Sequence, residues 1–143
     1  MLKASANDTV LLMYQENGHV TKLDPNHRTS GKTVVYGLLN ASSNDKLLGF
    51  NVSTKAVGTE QWSKFDDGSC YEDNGSPIAQ ERKSRTHRSR MVFEGNNLWC
   101  GHTIRLPQSL RAGDIYTLYW VWVFNGMNHH ELYTTCLDLQ IVC

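Results

Sequence analysis

The chain lacks any apolar run approaching the roughly 20 residues that a membrane-spanning helix requires. It also lacks a net charge, with 14 Lys and Arg against 14 Asp and Glu and a pI near 7. No positive field is therefore available to draw in nucleic acid or an anionic membrane surface, and neither is expected as a partner. No Cys-x-x-Cys pair is present, which argues against a zinc ribbon or a thioredoxin-type redox motif. His-Glu-x-x-His, Gly-x-Ser-x-Gly and phosphate-cradling glycine loops are absent as well, so the usual zinc hydrolase, serine hydrolase and nucleotide readings lose their signatures. No segment carries an amphipathic helical period of useful length, and no signal peptide opens the chain.

What is present has the period of strands. Gly113 to Cys143 organises the rest: Tyr116, Leu118, Trp120, Trp122 and Phe124 fall on one face of an extended segment, and Thr117, Tyr119, Val121 and Val123 on the other. Two apolar faces suit a central strand with one side in the core, where Trp120 and Trp122 are placed, and the other under a second segment. After a polar break at Asn125 to His130, Glu131, Tyr133, Thr135, Leu137, Leu139 and Ile141 share a face, with Cys136 opposite. Upstream, Thr9 to Gln15, Thr33 to Leu39, Leu47 to Val52, Met91 to Phe93 and Leu98 to Leu106 read as strands, punctuated by Asn17-Gly18, Asp24-Pro25-Asn26 and Pro107. Ser53 to Arg90 reads as long surface loops with one or two short strands. Its tail, Glu81 to Arg90, holds five of the 14 basic residues and no aromatic residue to stack on a base or sugar, the pattern of a solvated loop. The expectation is one domain over residues 1–143, all-β, an antiparallel β-sandwich of immunoglobulin or fibronectin III type with long loops.

Four cysteines in a chain long enough to fold without staples point to disulfides and an oxidising compartment. Sequons at Asn7, Asn40 and Asn51 lean the same way, towards a secreted glycoprotein. Cys70 and Cys100 flank the irregular middle of the chain. Pairing them closes a loop of about 30 residues and removes on the order of 3–4 kcal/mol of unfolded-state entropy in the chain-entropy view. Cys143 lies seven positions beyond Cys136 and on the other face of an extended strand, which disfavours a bridge between those two.

For chemistry, Glu16, Asp66, Asp67, Glu94 and Glu131 could meet as a carboxylate pair, but nothing in their spacing selects two of them. His19, just past the Asn17-Gly18 turn, and the run Glu131-x-Tyr133-x-x-Cys136 remain. Tyr-Thr-Leu-Tyr-Trp-Val-Trp followed by Glu-Leu-Tyr-Thr-Thr-Cys-Leu-Asp-Leu resembles the closing hairpin of lytic polysaccharide monooxygenases, most of all the fungal chitin-active kind. Tyr14 to Thr21, Phe65 to Tyr71 and Asn97 to Cys100 resemble a branch of secreted fungal proteins sharing those features, over most of Ala6 to Ile141.

The resemblance implies copper as cofactor, with His19 as the second histidine of a histidine brace, Tyr133 as the axial aromatic and Glu131 as the carboxylate that orients the oxygen species. Imidazole suits copper, and a carboxylate near the ion steers bound species. It also implies a secreted, extracellular, monomeric protein acting on a polysaccharide such as chitin or cellulose. The family's brace further needs an amino-terminal histidine, and this chain opens Met1-Leu2. The reading is therefore of a piece lacking its N-terminal part and inactive by itself, with His102, His129 and His130 as substitute ligands. The alternative is a non-catalytic sandwich that binds polysaccharide, copper or a host partner. In the resembling enzymes the cysteine equivalent to Cys136 ties down an amino-terminal segment, so here Cys136 and Cys143 are expected unpaired.

Overall fold

A computed structural model describes residues 1–16, 18, 20–22, 31–42, 63–86, 97–124 and 131–143. Seven strands and one helix make up the described elements: β1 (Leu2–Ser5), β2 (Thr9–Tyr14), β3 (Lys32–Leu39), β4 (Ser63–Lys64), α1 (Pro77–Thr86), β5 (Cys100–Arg105), β6 (Ile115–Phe124) and β7 (Glu131–Val142). The strands at Thr9, Thr33 and Leu98 and the closing hairpin stand close to where side-chain alternation puts them. The strands expected at Leu47 to Val52 and Met91 to Phe93 lie outside the described residues.

Five strands form one sheet in the order β1-β7-β6-β3-β4, and β2 pairs with β5 in a second. The fold is rich in β-structure, but it is mixed rather than antiparallel throughout: β1 runs parallel to β7, Leu2 beside Leu139 and Ser5 beside Val142. No tight turn can join parallel neighbours, and these two are separated by nearly the whole chain. β6 is central, flanked by β3 and β7, and both of its faces are used. Tyr116 and Leu118 join Val35, Ile104, Leu106, Leu139 and Ile141 in the core shared by the two sheets, with Val10 and Leu12 of β2 packed against it. On the opposite face Val121 is buried with Val34 and Tyr36. Trp122 is in the core as expected, whereas Trp120 is half-buried and bridges the main core to a second cluster of Val20, Phe65, Trp122 and Phe124.

Gly31 makes the close approach of β3 to β6 feasible. A Cβ there would fall 2.2 Å from the Val123 carbonyl oxygen, and glycine adopts its φ of 67° without strain.

The middle of the chain departs from the loop expectation. Residues 77–86 form α1, with Pro77 in the first turn and the Ser76 hydroxyl accepting from the Ala79 amide at 3.2 Å. The helix has no apolar stripe. It docks through Ala79, fully buried against Tyr71 and Leu98, and through ion pairs. Arg82 grips Asp66 with both guanidinium nitrogens at 2.7 Å and the Cys70 carbonyl at 2.7 Å, while Lys83 reaches Asp73 at 2.7 Å. Arg85 pairs with Glu81 one turn away. Three of the five basic residues of the tail are thus ion-paired on the helix, and residues 87–90 lie outside the described residues. Cys70 and Cys100 are bonded, as expected, and Cys136 and Cys143 are free and exposed.

Candidate functional site

Register fixes the first candidate pair. Tyr133 lies opposite Trp122 and Glu131 opposite Phe124, so all four share one face at the loop end of the β6–β7 hairpin. The Tyr133 phenol donates a hydrogen bond to the Glu131 carboxylate. That bond, then lost hydration, then the carboxylate's charge hold the phenol proton above its usual pKa. Tyr133 is 40% exposed, while the indole beneath it is 4% exposed. Trp122 stacks on Tyr133 with centroids 4.9 Å apart at 27°, and Phe65 stacks on Trp122 at 3.9 Å and 17°. Tyr14 completes the pile, 4.9 Å from Phe65, its hydroxyl donating to the Phe65 carbonyl at 2.8 Å. Burial, then the charge of Asp67, pushes the Tyr14 phenol pKa well upward.

The backbone around the second candidate is pinned by a buried carboxylate. Glu16, 1% exposed, accepts from the amides of Val20 at 3.1 Å, Thr21 at 3.4 Å and Glu72 at 2.9 Å, and from the Thr21 hydroxyl. The Asn74 amide donates in turn to Thr21 Oγ1 at 2.8 Å. Gly18, at a φ of 72°, and Lys22 close the turn with a 3.1 Å backbone bond. Val20 is fully buried against Phe65, Trp122 and Phe124. His19 itself lies outside the described residues. Its neighbour Val20 nevertheless reaches the aromatic cluster on which Tyr133 rests, so the turn and the Glu131–Tyr133 pair are linked through Trp122.

His102 faces inward against Tyr14, ring centroids 5.9 Å apart, and neither of its buried nitrogens has a hydrogen-bond partner among the described residues. Burial lowers its pKa. His129 and His130 lie outside the described residues, as does Asn51. Asn7 and Asn40 are exposed, each at a positive φ, 68° and 51°. Of the five carboxylates weighed as a catalytic pair, Glu16 and Asp66 are consumed by structure. Asp67 accepts from the Ser69 hydroxyl and from the amides of Ser69 and Cys70, Glu131 serves Tyr133, and Glu94 lies outside the described residues.

Copper can be tested against these donors. At Tyr133 the described residues offer a phenol and a carboxylate, and the expected imidazole ligands His19, His129 and His130 lie outside the described residues. Among the described residues one trio of potential ligands converges, Asp66, Asp67 and Cys70, within 4.8 Å. Cys70 is in the disulfide and Asp66 is clamped by Arg82, so that trio is structural. No reaction step through a metal is derived from either place. Separately, a groove of about 500 Å³ on the outer face of the β2–β5 pair is lined by Leu11, Met13, Trp99, Gly101 and Thr103, and neither Glu131 nor Tyr133 borders it.

Sequence reasoning missed Glu16 as an anchor and Phe65 as the base of the stack. The signal for Glu16 was a lone acid just before a turn, and for Phe65 an isolated aromatic residue in a polar stretch; neither has a period. Compared with known proteins, the chain matches no curated protein and no solved structure. A family described as a domain of unknown function, DUF7492, matches residues 1–143 in full. The chain belongs to the DUF7492 family.

Proposed function

We propose that this is a secreted fungal protein of lytic polysaccharide monooxygenase-like type that engages cell-wall polysaccharide, chitin or cellulose, at the loop end of the β6–β7 hairpin. The observation that carries the reading is the exposed Tyr133 ring, held flat by Trp122 and Phe65 beneath it, with the Glu131 carboxylate alongside. A sugar ring has an apolar face for such a platform and hydroxyls for the carboxylate. A rigid aromatic ring supplies contact area at low entropic cost. Copper is the finer part of the proposal: His19 and Tyr133 would hold it, and it would supply oxidising chemistry beside Glu131. It draws support from the packing of Val20 on Trp122, the indole that stacks on Tyr133.

Sedimentation of the protein with insoluble chitin and cellulose tests the platform. Tyr133→Ala is expected to abolish binding while the protein stays folded, its melting temperature falling only by the loss of one stacking contact with Trp122, and binding equal to wild type would refute the platform. Calorimetry with Cu(II) tests the metal: weak binding is expected, because one imidazole cannot hold the ion against buffer. Tight stoichiometric binding abolished by His19→Ala would mean that a second nitrogen ligand completes the site within this chain.

A second reading is a non-catalytic β-protein on the same fold that binds polysaccharide, copper or a host partner. Its support is that the one converging trio of potential metal ligands among the described residues, Asp66, Asp67 and Cys70, is taken up by the disulfide and by Arg82. The coding sequence upstream of Met1 separates the two: the enzyme reading requires a leader followed by histidine.

A further inference from the structure

β7 is the longest of the described strands, yet one of its edges is covered only in part. β6 pairs with it from Glu131 to Gln140, whereas β1 lies beside Leu139 to Val142 alone. The slanted bonds of a parallel ladder extend the reach of β1 by one residue, to Asp138. From Glu131 to Leu137 no described strand lies on that side, and Glu131 to Cys136 are exposed on both faces of the strand. The polarity of this edge follows from a residue further along. The Ile141 amide donates to the Asp114 carbonyl and the Ile141 carbonyl accepts from the Gly113 amide, each at 2.9 Å, so Ile141 turns both groups towards β6. Those directions alternate along a strand, and the β6–β7 register runs without a bulge. Leu132, Thr134 and Cys136 therefore aim their N–H and C=O groups outward. Edges that stay solitary usually carry a guard, such as a lysine, a proline or a bulge. Leu132 to Leu137 hold no charge, no proline and no glycine.

We propose that this edge joins a second copy of the chain, β7 against β7 and antiparallel about a two-fold axis at Thr134, so that the larger sheet continues through both protomers. In that register the edge is complementary to itself. Thr134 faces the partner's Thr134 and Leu132 faces the partner's Cys136, and each such pair of outward residues exchanges both backbone bonds. Tyr133 falls opposite the partner's Thr135, an aromatic residue against a β-branched one, which is a favourable cross-strand pair. Glu131 falls opposite the partner's Leu137, so no charge meets its like. Residues opposite each other point to the same face, and both Tyr133 rings therefore lie on one side of the joined sheet. The contact itself is made in the plane of the sheet and is independent of any binding of polysaccharide. So short a ladder buries little area, and the dimer is accordingly a weak one that dissociates on dilution.

Sedimentation equilibrium of the whole chain is expected to show monomer and dimer exchanging with concentration. Thr134→Pro removes the outward amide at the axis without touching the ladder to β6, and Thr134→Lys sets two ammonium groups face to face there. Thr134→Pro should sediment as a folded monomer and Thr134→Lys should shift the exchange towards monomer. The two exposed cysteines supply a distance test. Spin labels on Cys136, in a Cys143→Ser background, would stand about 14 Å apart along the joined strands and couple strongly. Labels on Cys143, in a Cys136→Ser background, would stand about 60 Å apart and should not. A wild type that stays monomeric at every concentration, a dimer of wild-type strength in Thr134→Lys, or coupling no stronger at Cys136 than at Cys143 would overturn the proposal.

Discussion

Replacing Glu16 with Gln removes one charge and almost no volume, and the structure fixes what the new amide meets. One carboxylate oxygen accepts from the Val20 and Thr21 amides, the other from the Glu72 amide and the Thr21 hydroxyl. If the Gln NH₂ takes the first position it confronts two backbone donors that cannot turn away. In the second position it confronts one, because the Thr21 hydroxyl can rotate to accept. The variant therefore settles with the Glu72 amide unsatisfied, a cost of about 1–3 kcal/mol for a buried donor. The remaining bonds lose their charge assistance, about 1 kcal/mol each. Easier burial of a neutral amide offsets part of this, leaving a net loss of about 2–3 kcal/mol. At about 3 °C per kcal/mol for a domain of this size, the melting temperature should fall by about 6–9 °C. Urea unfolding followed by circular dichroism measures the loss, and amide exchange at Val20 and Thr21 should quicken beyond the global change. A variant within about 0.5 kcal/mol of wild type would refute the claim that this carboxylate pins the turn.

Two further outcomes follow from other parts of the fold. Replacing both Cys70 and Cys100 with Ser should cost about 3–4 kcal/mol, and thiol titration of the native protein should find the two exposed cysteines, Cys136 and Cys143; a Cys136 peptide linked to Cys70 or Cys100 in non-reducing digests would contradict the pairing. His102 should stay neutral in the fold, because burial lowers its pKa, so the stability it contributes is present above the unfolded value of about 6.5 and is lost as pH falls below it. His102→Phe should flatten that acid limb in urea midpoints taken from about pH 8 to pH 5, and equal slopes in the two proteins would rule the residue out.

Strand alternation exposed most of the sheet framework because every inward residue of a strand repeats at a period of two. β6 was legible down to its two faces, and the shared face of Glu131 and Tyr133 followed from the same count. The helix at Pro77 escaped because it has no apolar period: Ala79 is its one fully buried side chain, and ion pairs to Asp66 and Asp73 do the rest. Ser76-Pro77 carries the capping signal, but with no apolar period behind it the signal is equally that of a loop. The parallel pairing of β1 was not legible, since Leu-Lys-Ala-Ser alternates over only four residues and has no hairpin turn to fix its partner. The half-buried place of Trp120 depends on Tyr14 and Phe65, partners that its own strand does not reveal.

The parallel pair of β1 and β7 also sets a timetable. Among the described strands β1 is made before the others and its neighbour β7 after them; the Ser5 hydroxyl and the Cys143 carbonyl that it meets are 138 positions apart. Until then β1 has no strand to complete, and the largest sheet cannot close on its amino-terminal side. Contacts of such sequence separation are slow to form, because the entropy of closing a chain-length loop is lost before any pairing repays it. Folding should thus end with β1 zipping onto Leu139 to Val142, and a nascent chain arrested before Leu139 should leave Leu2 to Ser5 open to proteases that the finished protein resists.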